Sequence, residues 1–417
     1  MAEGGTDAAH SQLNPSARAG DRYLVLGGTT VMQIAITTLY AGFAPLLPFV
    51  KTEFGLTYAQ AGLIANVAFV GTMATLLAAG WAVDALGERI VIIAGGVIAG
   101  LAGIAAGLAP FLALLVVALV VLGVGVGTAT PSGTSAIRAA FARDERAVAM
   151  GVRQMGIPVG GLLAALILPS LAQAHGWRFG VVAAGVVAVV IALVLAVAYP
   201  RRRHGLEASR QAGRAAKLTK NVALTGAAGN FLLAGQICVV TYLVVFLVRD
   251  WGMSVTAAGF LLALAQGSGA LGRLGWGLAS DRLLNGSRRT VLIMAGLVSA
   301  GGCLALSLLP STSSHIWLGI TIAVLAAGAV GWTGVQMTLL SELAAPGFEG
   351  RTVALGMFLQ QPALLLAPLA FGVLVDWTGS FRIAWQVLAA FVVIGALLLF
   401  GIREAKPELD NAVARSS

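Results

Sequence analysis

Long runs of apolar residues, separated by short polar segments, account for most of the chain. Each run is about 20 residues long, the length that an α-helix needs to cross the ~30 Å hydrocarbon core of a bilayer. The runs are continuous rather than alternating, which argues against membrane-spanning strands. We therefore predict an all-α polytopic membrane protein with twelve transmembrane helices. The predicted helices cover residues 24–49, 59–83, 90–109, 111–137, 148–172, 179–199, 221–248, 255–280, 290–309, 316–341, 353–375 and 382–402.

One long polar segment, residues 200–220, separates the sixth predicted helix from the seventh. It divides the helices into two groups of six, so we predict an N-terminal bundle over 23–199 and a C-terminal bundle over 221–402. Residues 1–22 are small and polar and lack the basic-then-apolar order of a cleaved signal peptide. We interpret them as a disordered tail, and residues 403–417 as a second tail.

A short charged interruption occurs once in each half of the chain. The first copy runs from Gly80 through Asp84 and Gly87 to Arg89. In the second copy Asp281 again follows a glycine by four residues, at an offset of 281 − 84 = 197, close to half the chain length. We infer that the two bundles are internal repeats with pseudo-symmetry.

This pattern resembles the G-x-x-x-D-x-x-G-x-R loop that joins the second and third helices in the major facilitator superfamily. The resemblance implies two parallel six-helix repeats, a substrate site between them near the middle of the membrane, and transport by alternating access. It also implies that the first, fourth, seventh and tenth helices line the cavity. We expect a secondary transporter, symporter or antiporter, that binds a small molecule, with or without a coupling ion, and acts as a monomer in the bilayer.

Composition and charge indicate where the protein resides. The chain is 58% hydrophobic and 10% charged, with a net charge of +9. Of its 26 Lys and Arg, twenty lie in one set of alternate segments, four in the opposite set and two inside predicted helices. This alternation is typical of the positive-inside rule and not of a nucleic-acid-binding surface. We predict that both termini and the linker are cytoplasmic. The preference for Arg over Lys favours a bacterial source and therefore the inner (plasma) membrane.

The sequence carries no pattern typical of an enzyme or a metalloprotein. The four histidines lie in predicted tails or loops. Cys238 and Cys303 lie inside apolar runs, so neither a disulfide framework nor a metal site is indicated. A Gly-x-Ser-x-Gly elbow between a strand and a helix is also missing. We expect no enzymatic activity and no cofactor.

Polar residues inside the predicted helices are candidates for substrate contact, because hydrocarbon disfavours them. In the first helix Gln33, Thr37 and Tyr40 follow at i, i+4 and i+7 and share one face. The alternative is hydrogen bonding between packed helices. The main candidates are Gln33, Tyr40, Gln236, Trp332 and Gln336. Further polar residues on the same helices are Thr128, Ser132, Ser135, Asn230, Thr241 and Tyr242.

Two arginines lie within predicted helices. Arg153 lies about six residues into the fifth helix, and Arg273 lies eight residues before Asp281 in the eighth. An arginine inside the membrane indicates a functional site, and its planar guanidinium suits a carboxylate or phosphate. The alternative is that these long side chains reach the membrane surface. We predict that both arginines bind a small organic anion.

The positions of the acidic residues help to distinguish the possible transport functions. None of the seventeen Asp and Glu falls in the central part of a predicted helix. Proton-coupled carriers usually hold a carboxylate in that position, and burial shifts the pKa of such a carboxylate so that it can bind and release a proton. This pattern argues against a drug/proton antiporter. Two other functions stay open, namely efflux of amphipathic drug-like compounds through an uncharged cavity, and a membrane sensor that binds a solute without moving it.

The fifth helix contains a glycine-rich stretch around Pro158. Proline frees a backbone carbonyl, and glycines permit bending and close packing. We predict a flexible helix at an interface.

Charged residues at the cytoplasmic helix ends are predicted to form a gate that joins the halves when the cavity faces outward. The Asp84 carboxylate would favour the positive N-terminus of a neighbouring helix. We assign Arg288 and Arg289 to a solvated face instead. The predicted gate comprises Gly80, Asp84, Gly87, Arg89, Arg138, Asp281, Glu342 and Arg351.

Overall fold

A computed structural model describes residues 19–141, 145–200, 218–345 and 348–402. Within these residues the chain is helical and contains no β-strand. Seventeen α-helices follow one another and form twelve spans, five of which consist of two helices in sequence. The prediction of a twelve-helix, all-α membrane protein is confirmed.

The N-terminal half contains spans 1 to 6. Their helices are α1 Ala19–Ala41 and α2 Phe43–Phe54 in span 1, and α3 Tyr58–Asn66 and α4 Ala68–Leu86 in span 2. Spans 3 and 4 are α5 Glu88–Gly107 and α6 Leu112–Ala140. Span 5 consists of α7 Arg146–Gln154 and α8 Gly156–His175, and span 6 is α9 Trp177–Ala198.

The C-terminal half contains spans 7 to 12. Spans 7 to 9 are α10 Lys220–Asp250, α11 Val255–Leu278 with a π-helical turn Ala279–Leu283, and α12 Arg288–Leu308. Span 10 consists of α13 His315–Gly331 and α14 Thr333–Glu342, and span 11 of α15 Glu349–Phe358 and α16 Gln361–Thr378. Span 12 is α17 Phe381–Leu398 with a 3₁₀ turn Leu399–Gly401.

Eleven of these spans are continuous enough, and apolar enough, to cross a membrane, and the pair Tyr58–Thr75 and Ala78–Leu86 forms a twelfth, bent by 53°. The observed helices extend beyond several predicted ones, because hydropathy marks the hydrocarbon core whereas a helix continues into the polar interface. Helix α1 begins at Ala19, inside the predicted tail. Of the predicted tails and linker, residues 1–18, 201–217 and 403–417 lie outside the described part of the chain.

Three of the helix breaks have a local cause in the sequence. Spans 1, 5 and 11 are interrupted at Gly42, Met155 and Leu359–Gln360, in each case two or three residues before a proline. A proline has no N–H to offer to the carbonyl four residues earlier, so the helical hydrogen bonding lapses there. In span 5 the proline is Pro158, so the helix that was predicted to be flexible contains a break at Met155.

Glycines allow the spans of each half to pack backbone against backbone. A Cβ added at Gly71 would overlap the carbonyl oxygen of Val120, and one at Gly123 would overlap that of Ala68. These contacts join spans 2 and 4 at a separation that only glycine permits. Such close approach is the usual way for helices to associate in lipid, where little hydrophobic driving force acts between them.

The two halves meet through a restricted set of helices. We call the side where span 6 leads to span 7 the linker side, and the opposite side the far side. Packing between the halves is concentrated where α2, α3 and α8 meet α10, α11 and α16. In the N-terminal half these three helices are the far-side segments of spans 1, 2 and 5. The halves are therefore joined mainly on the far side.

Candidate functional site

Arg273 and Tyr40 are polar side chains from opposite halves that lie near each other within the helical spans. Arg273 lies on α11, is partly buried, and donates from Nε to the carbonyl oxygen of Val330 on α13 at 3.3 Å. Tyr40 lies on α1 in the other half, near enough for an electrostatic interaction between its phenol and the guanidinium. No ion pair involves Arg273 within the described residues. A cation and a phenol from opposite halves thus lie within electrostatic range of one another.

The packing of span 8 against span 10 explains the position of Arg273. A Cβ at Gly272 would lie 2.6 Å from the carbonyl oxygen of Ala327, and one at Gly331 would lie 2.8 Å from the backbone of Gly272. The helices therefore touch at the residue before Arg273. The guanidinium is held there against the Val330 carbonyl oxygen of span 10.

Gln266 is a residue that the sequence analysis missed. It precedes Arg273 by seven residues on α11, so both lie on the same helix face. A Cβ at Gly161 of α8 would overlap the Gln266 amide, which shows that this amide lies against span 5 of the other half. The spacing of seven from Arg273 was the signal that could have identified it.

Arg153 lies inside the N-terminal half instead. It is 1% exposed, and one terminal nitrogen donates to Gln33 Oε1 at 3.2 Å and to the carbonyl oxygen of Ala129. The Gln33 amide donates in turn to Thr37 Oγ1 at 3.1 Å. These groups connect spans 1, 4 and 5. The structure therefore brings Gln33 together with Arg153, but it places them apart from the Arg273–Tyr40 pair.

The candidates in the C-terminal half have contacts between helices. Trp332 is 1% exposed and donates to the carbonyl oxygen of Ala329 at 2.9 Å. Gln336 donates to the carbonyl oxygen of Thr225 at 3.0 Å and accepts from Gln360 at 3.0 Å. The Gln336 bonds link spans 7, 10 and 11, as the interhelical alternative describes, whereas the Trp332 bond stays within span 10. That Trp332 and Gln336 contact substrate stays a prediction.

Gln236 on span 7 differs from these residues. It is partly buried, and its Oε1 has no hydrogen-bond partner within the described part of the chain. A buried acceptor without a partner is unfavourable, which marks this amide as available to a donor from outside the protein.

The far side carries a cluster of bonds between the halves, which we call the far-side latch. The Asp376 carboxylate, at the end of span 11, accepts from the backbone N–H groups of Tyr58 and Ala59, each at 2.8 Å. These are the first two residues of α3, whose N–H groups have no partner within their own helix. A helix N-terminus also attracts negative charge. Asp376 thus caps a helix of the opposite half.

Tyr242 completes the far-side latch. Its buried hydroxyl lies 2.8 Å from the carbonyl oxygen of Tyr58 and 2.7 Å from that of Pro368. A Cβ at Gly62 would overlap this hydroxyl, so glycine is required for the contact. Two more bonds cross the halves nearby, from Asn66 to Thr241 at 3.0 Å and from Thr256 to Gln173 at 2.8 Å.

Comparison with known proteins identifies the fold and the family. The sequence model of the Major Facilitator Superfamily matches residues 29–368 and 236–416. The chain belongs to the major facilitator superfamily. Members of this superfamily are membrane transporters, so the chain is a multi-pass transporter and not an enzyme.

Several curated transporters resemble this facilitator over most of its length. The uncharacterized MFS-type transporter Rv2994 of Mycobacterium tuberculosis is 29% identical, with 90% of this chain and 84% of the relative covered. The probable sulfoacetate transporter SauU of Cupriavidus necator is 25% identical, with 91% and 93% covered. The hexuronate transporter of Bacillus subtilis is 23% identical, with 85% and 86% covered.

The solved structures support the fold. A bacterial homolog of the human lysosomal transporter Spinster, in an inward-facing and occupied conformation, matches with a TM-score of 0.79. Its sequence is 19% identical, and the match covers 92% of this chain and 97% of that one.

The charged loops of the facilitator motif lie on the linker side. Asp84 and Arg138 are exposed, and Gly80 and Gly87 flank the end of span 2. Arg89 donates to the carbonyl oxygens of Tyr199 and Ala196 within its own half. Arg351 lies 5.6 Å from the ring centroid of Phe348. A gate between the halves at these residues stays a prediction for another conformation.

Arg288 has a defined role that its assignment to a solvated face did not foresee. It donates to Asp281 in the π-helical turn, to Ser280 Oγ at 2.8 Å, and to Glu342 Oε1 at 3.2 Å. Its side chain is 17% exposed, so the assignment to a solvated face was wrong. The bridge ties span 8 and span 10 together through the start of span 9, and it holds two predicted gate residues in place.

Proposed function

We propose that this facilitator transports a small organic anion by alternating access. The Arg273 guanidinium at the seam between the halves carries the proposal. It is a cation inside the membrane, it has a single protein hydrogen bond within the described residues, and it lies within electrostatic range of the Tyr40 phenol of the other half. Its planar fork can donate two parallel hydrogen bonds to a carboxylate or a sulfonate.

The names of two relatives support this substrate class. One relative is described as a probable sulfoacetate transporter and another as a hexuronate transporter. Both names denote compact organic anions. We propose that the anionic group binds Arg273 and Tyr40, while Gln266 and Gln236 offer hydrogen-bonding amides to the rest of the solute. Gln336 would act indirectly, by holding spans 7, 10 and 11 in register.

During the transport cycle the halves would close alternately on the far side and on the linker side. In the state described above the far-side latch joins the halves, so the site would be reached from the linker side. In the opposite state the latch would open, and Asp84, Arg89, Arg138, Asp281, Glu342 and Arg351 would join the halves on the linker side. The excess of Lys and Arg in the alternate segments predicts that the linker side is cytoplasmic.

Removal of the Arg273 charge tests the proposal. A substrate anion left unpaired in low dielectric loses about 2–5 kcal/mol of binding free energy, so Arg273→Gln should weaken anion binding by at least ~30-fold. Arg273→Lys should rescue binding only in part, because it keeps the charge and loses the fork. The measurement is counterflow in proteoliposomes with sulfoacetate, a hexuronate and neutral or cationic solutes of similar size.

The matched control is Arg249→Gln, an arginine of the same half that bonds to the Gly379 carbonyl oxygen on the far side. It removes the same charge at the far end of span 7, where Arg249 lies 5.2 Å from the ring centroid of Tyr58 in the other half, so anion affinity should stay within a few-fold of the parent. If the parent and Arg273→Gln transport every anion equally, the anion proposal is wrong. A neutral or cationic solute bound equally by both proteins would instead favour drug-like efflux.

A further inference from the structure

The Arg153 side chain is a buried cation whose charge the protein does not balance. In the described part of the chain it is the one Lys or Arg that is buried, at 1% exposure. No carboxylate forms an ion pair with it within these residues. An unpaired charge in a low-dielectric interior is strongly unfavourable unless another group compensates for it.

The hydrogen-bonding groups of this side chain are only half used. One terminal nitrogen donates to Gln33 Oε1 and to the Ala129 carbonyl oxygen. The Nε and the other terminal nitrogen are buried and have no partner within the described residues. Since a guanidinium has five N–H donors and no acceptor, the unused donors require an acceptor that carries negative charge or a lone pair.

A small cavity lies against these donors. Its volume is about 10 Å³, which is room for one particle of the size of a water molecule. Its lining includes Thr29 and Thr128, and its apolar walls are Met32, Ile36 and Ile92. The skeleton of an organic acid does not fit this volume, and a chloride ion, which is somewhat larger than a water molecule, fits once the lining side chains shift slightly outward.

A glycine creates the space for the guanidinium. Gly133 on span 4 lines the cavity, and a Cβ at this position would overlap the Arg153 guanidinium. Gln33, Thr128 and Arg153 are each at least nine-tenths buried, so the site is enclosed by polar side chains from spans 1, 4 and 5.

We propose that this cavity binds one monovalent monatomic anion, chloride under cellular conditions, which neutralises Arg153 and stabilises the junction of spans 1, 4 and 5. The bound anion is a structural component of the N-terminal half rather than the transported solute. The earlier prediction that Arg153 contacts the substrate is thereby replaced. The inference stands apart from the substrate proposal, because Arg273 and its seam play no part in it.

The test compares thermal unfolding of the purified full-length protein in sodium chloride and in sodium gluconate of equal ionic strength. A ligand at free concentration c that binds only the folded state stabilises it by RT ln(1 + c/Kd), so the unfolding midpoint rises with the logarithm of the ligand concentration once that concentration exceeds Kd. Chloride and bromide should raise the midpoint by about 2 °C or more, with a logarithmic dependence on their concentration, and gluconate should not. Arg153→Gln should abolish this dependence. Arg273→Gln, the matched loss of the other intramembrane arginine, should retain it.

A second variant guards against a misfolded Arg153→Gln. Gln33→Glu supplies a carboxylate 3.2 Å from the Arg153 nitrogen that Gln33 now contacts. It should fold without chloride and show no chloride-dependent shift, because the internal carboxylate replaces the anion. A parent protein that unfolds at the same temperature in both salts would overturn the proposal. An equal chloride shift in the parent and in Gln33→Glu would overturn it as well.

Discussion

The far-side latch makes a quantitative prediction about the balance between the two closures. Asp376→Ala removes the carboxylate that caps the N-terminus of α3 across the interface. Loss of a capping side chain costs about 1–2 kcal/mol, and the exposed position of Asp376 favours the lower part of that range. The cap exists only when the far side is closed. The ratio of far-side-open to far-side-closed molecules should therefore rise about 5-fold.

The shift can be read from distances between spin labels on the two halves. Thr52, near the far end of span 1, and Thr312, in the connection between spans 9 and 10, are both exposed. Labels on cysteines at these positions, in a protein without Cys238 and Cys303, report far-side opening. Asp376→Ala should increase the long-distance population. Asp376→Asn keeps one acceptor oxygen and should produce an intermediate shift.

The control for this experiment is another far-side acid. Asp250 lies at the end of span 7, and its ion pair with Arg249, at 3.6 Å, stays within the C-terminal half. Asp250→Ala should leave the distance distribution unchanged. If Asp376→Ala also leaves it unchanged, the carboxylate contributes nothing to closure, and the reasoning from helix capping fails.

Three further predictions concern the gate, the topology and the latch. Asp84→Asn should slow transport in proteoliposomes while the folded yield and the solute affinity stay within a few-fold; parental rates would remove this loop from the mechanism. A cysteine at Ser209, which lies outside the described residues, should resist impermeant thiol reagents in intact cells, and labelling from outside would invert the predicted topology. Gly62→Ala places a methyl group against the Tyr242 hydroxyl and should open the far side in the spin-label assay. Gly267→Ala, where a methyl group meets nothing within 4 Å, should not.

The spans could be predicted because hydropathy and helix length follow from the bilayer itself. The break in span 5 could be predicted too, since Pro158 determines it locally. The hydrogen-bond partners across the interface between the halves could not be predicted. Asp376 and Tyr58 are 318 residues apart, and a carboxylate at a helix end does not indicate which helix it will meet.

The sequence also could not predict whether an individual polar side chain faces a cavity or a neighbouring helix. The spacing of Trp332 and Gln336 shows that they share a helix face, but not whether that face meets a cavity or a neighbouring helix. In a soluble protein the hydrophobic pattern separates inside from outside. Here lipid, core and much of the seam are all apolar, so the pattern does not distinguish them. Arg288 was misjudged for a related reason, because its acidic partners belong to spans 8 and 10.

The backbone contact between spans 2 and 4 also distributes evolutionary freedom unevenly over the molecule. At Gly71 and Gly123 even the smallest side chain would overlap a neighbouring peptide group, so no other residue can replace glycine at these positions. On span 6 the outward residues Val190, Val194 and Val197 are 51%, 57% and 89% exposed, and any apolar residue can replace them in contact with lipid. Homologues can therefore diverge widely at residues that face lipid while they keep the glycines at the contact between spans 2 and 4.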